Sequence, residues 1–63
     1  MDIQQEIKKQ RKWVEIGKAT VEQVIEEGQP QEIIDYEMEQ LKKDEAILEE
    51  LLKIAQEQLK KGE

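Results

Sequence analysis

The chain has 63 residues, 41% of them charged, and 16 acidic against 10 basic side chains give a net charge of −6 at pH 7. A domain of this size hides only about 60% of its unfolded surface. The lack of cysteine and histidine excludes disulfides, thiolate metal sites, the usual zinc ligand and the side chain that titrates near neutrality. Oligomerisation or close helix packing is what remains to stabilise so short a chain.

High charge with few aromatics is also the composition of disordered segments, so apolar spacing has to decide, and it decides for order. Met1-Asp2-Ile3-Gln4-Gln5 opens polar with no apolar core behind it, which argues against a secretory leader. The longest aliphatic run is Ala46-Ile47-Leu48, far short of the roughly 20 residues of a membrane span. A soluble, cytoplasmic protein is expected.

The first helix is expected over about residues 3–27. Asp2 and Gln5 are spaced as a capping box ahead of Ile3. Ile3, Ile7, Gln10, Val14, Gly17, Val21 and Val24 then step by alternating four and three, a helical seam that no strand would produce. Gly17 in mid-helix costs about 1 kcal/mol relative to alanine, and Thr20 with Gln23 could open a new capping box. A three-helix chain broken near Gly17 is therefore the rival. One continuous helix is preferred because the seam crosses the suspected break without a change of phase.

The stretch EEGQPQEII, Glu26 to Ile34, reads as a stop, a turn at 28–30 and a start. Gly28 suits the left-handed residue that ends a helix, and Pro30 suits the first turn of the next. Glu32 and Asp35 set negative charge near the new positive end. A phosphate-cradling loop would need more glycines and a following lysine.

The second helix is expected over about 31–61, with a seam of Ile34, Met38, Leu41, Glu45, Leu48, Leu52, Ala55 and Leu59. Three i,i+4 pairs support it, Glu39–Lys43, Glu49–Lys53 and Glu57–Lys61. Lys60 and Lys61 complement its negative end and Gly62 can stop it. Folding the chain at 28–30 brings the basic cluster Lys8, Lys9, Arg11 and Lys12 alongside Asp44, Glu45, Glu49 and Glu50, although an exposed pair is worth only about 0–1 kcal/mol.

One antiparallel partner cannot cover all the apolar positions. On the second helix Ile33, Tyr36, Ile47, Leu51 and Ile54 form a row roughly 100° around from the seam. On the first, Trp13, Ile16 and Thr20 flank the seam. Leaving such side chains in water forgoes about 1.5–3 kcal/mol for each large one and creates a patch of the kind that marks interfaces. The expected fold is all-α: one domain, 1–63, an antiparallel helical hairpin pairing into a dimeric four-helix bundle. A different protein covering the same rows would be physically equivalent.

Gln10 and Glu45 interrupt the two seams at one level. They either fix register through a buried polar contact or, as preferred, leave Glu45 at the edge beside lysines, since a buried unpaired carboxylate is costly. Gly17 either permits close helix approach opposite Leu41 or is a tolerated weak point. Trp13 is expected to be partly buried in the bundle and is the natural hot spot if that bundle is an oligomer. Tyr36 could anchor an interface with its hydroxyl in water.

Lys8, Lys9, Arg11, Lys12 and Lys18 could track phosphates, but the net charge and the neighbouring acids weigh against nucleic acid. The acidic stretch Glu32–Glu50 is read first as a solvated face and second as a surface for a basic partner. With no serine, one threonine and no Glu-x-x-His or calcium-loop pattern, neither catalysis nor a metal or cofactor is expected. The leading reading is a self-associating structural module. Its rival is a small acidic regulator, an inhibitor or antitoxin-like factor, that binds a protein through its apolar face.

Overall fold

The structure is a computed structural model that describes residues 2–61, and it holds two helices packed against each other as a hairpin, α1 (Ile3–Glu26) and α2 (Gln31–Lys61). Stopping of α2 by Gly62 and the Glu57–Lys61 pairing lie outside the described side chains.

Asp2 caps α1: its backbone is extended, and its carboxylate accepts from the Gln4 amide at 3.0 Å, satisfying one of the helix's orphan donors. The helix then runs through Gly17 unbroken. Thr20 does not open a new cap, because its hydroxyl donates back to the Ile16 carbonyl at 2.8 Å.

The exit of α1 is a full Schellman motif. Gly28 takes φ +67° and donates to the Ile25 carbonyl at 3.1 Å, while Gln29 donates to the Val24 carbonyl at 3.0 Å. Pro30 lies just outside α2 rather than in its first turn. Its carbonyl accepts from Ile33 and Ile34 at 3.0 and 3.2 Å, so it occupies the cap position without a side-chain acceptor. Gln31 bonds instead along the helix, to the Asp35 carboxylate at 2.8 Å.

The half-buried and buried positions of α1 include 3, 7, 10, 14, 17, 21 and 24. On α2 the sheltered positions are 34, 37, 40, 41, 44, 48, 51, 52 and 55. Two apolar residues of the expected seam are thus left open, Met38 at 46% exposure and Leu59 at 72%, along with Glu45. Positions 37, 44 and 51 flank the row 34-41-48-55 on one side and positions 38, 45, 52 and 59 on the other, so spacing alone does not choose between them. The Gln10 contact described below holds the first flank against α1.

Gly17 faces Leu41, and a β-carbon added there would sit 3.0 Å from the Leu41 Cδ1 atom. The helices therefore meet closely at mid-length, and residue 17 opposite residue 41 sets the register of the hairpin. The molecule is a rod of 51 × 15 × 15 Å with a radius of gyration of 15.0 Å, against about 11 Å for a compact domain of this length.

Two substitutions test these junctions in urea unfolding followed by circular dichroism. Gly28→Ala forces a β-carbon into left-handed backbone with no new contact to offset it and should cost about 1 kcal/mol. Gly17→Ala trades improved helix propensity against pressure on Leu41 and should fall within about 1 kcal/mol of the parent, whereas Gly17→Leu should cost about 2 kcal/mol or more through overpacking.

Candidate interaction surface

Among the described residues only Ile7, Val14 and Ala55 are buried, and no large side chain is completely enclosed. Two helices provide one line of contact, so every other apolar side chain stays partly wet. The large exposed ones are Trp13, Ile16, Ile25, Ile33, Tyr36, Met38, Ile47, Ile54 and Leu59. The chain's accessible surface of 5419 Å² exceeds by about 1,200 Å² what a compact monomer of its mass would show.

These side chains are not scattered evenly. On α1, Trp13 and Ile16 fall on the same flank of the buried seam, about 100–150° from Val14. On α2, Ile33, Ile47 and Ile54 lie about 100° from Leu48 and Tyr36 about 150°, all in the same rotational sense. Equal rotational sense on two antiparallel helices means the same side of the pair. Trp13, Ile16, Ile33, Tyr36, Ile47 and Ile54, with half-buried Leu51, therefore make one apolar face along the rod. Ile25, Met38 and Leu59 lie on the opposite flank among Lys8, Arg11, Lys18, Lys42, Glu45 and Glu49, where the apolar positions are too interrupted to form a stripe.

Of the two polar seam residues, Gln10 makes a contact between the helices and Glu45 does not. Gln10 is half-buried, and its side-chain amide donates to the main-chain carbonyl of Asp44 at 2.8 Å. Glu45 is exposed. A carbonyl has two lone pairs, so Asp44 accepts this bond in addition to its helical one. A side-chain donor on a main-chain acceptor leaves no mark in residue spacing, so the acceptor for Gln10 could not be read from the sequence, whereas the edge position preferred for Glu45 is the one it takes.

Lys8, Lys9, Arg11, Lys12 and Lys18 are all exposed, as are Glu45, Glu49 and Glu50 across from them. The concave surfaces are shallow: one runs along α1 between Gln5 and Glu15, and another lies where Ile7 meets Leu52, Ala55 and Leu59. A depression lined by a single helix has no opposing wall, so the first cannot converge polar groups on a substrate. Among the described residues no group of three or more acidic side chains is placed to hold a metal ion, and no helix is long and apolar enough to cross a membrane.

No known protein family, characterised protein or solved structure matches the chain.

The Gln10 contact makes a direct prediction. Replacing Gln10 by leucine removes one bond worth about 1 kcal/mol but strands no acceptor, and it places an apolar side chain at a seam position. Gln10→Leu should therefore raise the urea midpoint, whereas Gln10→Ala should lower it.

Proposed function

We propose that the chain is a non-enzymatic structural and protein-interaction module that self-associates through its apolar face into a dimeric four-helix bundle. The observation that carries this reading is the face of Ile33, Tyr36, Ile47 and Ile54, interrupted at Gln40 and Lys43, beside Trp13 and Ile16, each of the six apolar residues at least 38% exposed. A rod 51 Å long and 15 Å wide presents a face of about 750 Å² in projection, close to the roughly 800 Å² per partner of a standard stable interface. Each protomer is short of one neighbour, and a second copy supplies it.

The test is light scattering on the isolated chain, with Trp13 fluorescence followed on dilution. A dimer is expected, with Trp13 emission moving to longer wavelength as it dissociates. Ile47→Glu places a charge in the middle of the face twice per dimer and should weaken association at least about hundredfold. Gln56→Glu adds the same charge at an exposed position on the opposite flank and should leave the dimer intact. Because each chain carries −6, added salt should strengthen association by screening repulsion; nucleic-acid binding would weaken instead. A monomer that binds a hydrophobic dye on this face would point to a different protein as its occupant, the acidic-regulator reading.

A further inference from the structure

We infer that the second copy lies inverted on the first, with the two turns at opposite ends of the bundle and the two-fold axis crossing the middle of the rod. This rests on the self-association proposed above and adds the geometry of the assembled face.

The placement of the apolar residues carries the inference. Trp13 and Ile16 are centred between residues 14 and 15. On α2, Ile33 and Ile54 are centred between 43 and 44, and so are Tyr36 and Leu51. In the register fixed by Gly17 against Leu41, residues 14 and 15 lie opposite 44 and 43. Both helices therefore have their apolar midpoint at one height, which is the condition for a two-fold axis perpendicular to the rod.

Applying that axis sets α1 against its own copy and α2 against its own copy, all antiparallel. Trp13 meets Ile16 of the second copy, Ile33 meets Ile54 and Tyr36 meets Leu51, each pair formed twice. The imperfect layers are Ile47 against Gln40 on α2 and, on α1, Glu6 against Gln23 and Lys9 against Thr20. The alternative axis, along the rod, would put both turns at the same end and α1 against the α2 of the second copy. Ile54 would then face Glu6, Ile33 would face Gln23 and Ile16 would face Gln40 and Lys43. Trp13 against Ile47 would be the one apolar match and Lys9 against Glu50 the one charge match. Inversion pairs apolar with apolar and the alternative mostly does not.

Charge gives a second, independent observation. The turn half, residues 15–43, has eight acidic and three basic side chains, a net of −5, while the remainder has eight acidic and seven basic, a net of −1. Aligned chains would set the two strongly acidic halves side by side. Inverted chains set each beside the nearly neutral half of the other, which lowers the repulsion.

The test is a distance. The chain has no cysteine, so Gln31→Cys at the exposed start of α2 provides a single site for a spin label beside the turn. At 1.5 Å rise per residue, inverted copies hold the two labels about 40 Å apart, whereas aligned copies hold them within about 25 Å. Pulsed electron–electron resonance on the dimer, its mass checked by light scattering, is expected to give the long distance. The short distance in a confirmed dimer overturns inversion and leaves self-association standing. A labelled and unlabelled chain that are both monomeric removes the two together.

Discussion

The rest of the structure depends on how much of its circumference a helix can hide behind one neighbour. A single packed partner covers a stripe of roughly 100°. The apolar positions of α2 run from Leu52 and Leu59 through Leu48 and Leu51 to Ile47 and Tyr36, an arc of roughly 200°. The hairpin shelters about half of it, and the consequence is visible in the fold: among the described residues three buried side chains, none large and enclosed, and an elongated body with excess surface. In the dimer proposed above, stability and association would draw on the same missing burial, and the melting temperature would be tied to concentration.

Polar chemistry does little of the stabilising and much of the specifying. The bond from Gln10 to the Asp44 carbonyl is modest in energy, yet it distinguishes one flank of α2 from the other. Gly17 costs helix propensity and in return leaves room for Leu41, whose side chain would have to shift by a few tenths of an ångström to admit even a β-carbon. Asp2 and the Schellman turn at Gly28 satisfy the ends of α1, so the length of α1 is set locally and does not drift with the packing.

Much of this was legible in the sequence because helical period and turn chemistry are local signals. The α1 seam, the continuity through Gly17, the stop at Gly28 and the apolar face beside the seam all follow from residue spacing. The rotation of α2 does not. Positions 37, 44 and 51 and positions 38, 45, 52 and 59 flank the central row symmetrically, and the second set holds more apolar residues, which is why Met38 and Leu59 were expected inside. The observed rotation goes with the Asp44 main chain meeting Gln10, a contact that depends on three-dimensional approach. Pro30 is a smaller instance: its fixed φ suits a first turn or a cap equally, and only the carbonyl bonds to Ile33 and Ile34 distinguish them.

Register then becomes the link between the inside of the hairpin and its surface. The apolar midpoints of α1 and α2 coincide in height only while Gly17 stands opposite Leu41. Sliding one helix by a heptad would preserve an apolar seam of sorts, but it would move the two midpoints apart by about 10 Å, and no single two-fold axis would then satisfy both. Gln10 and Gly17 sit away from the apolar face, and neither adds area to it. By rejecting the slipped hairpin they govern whether the two halves of that face present one self-complementary pattern or two that do not match.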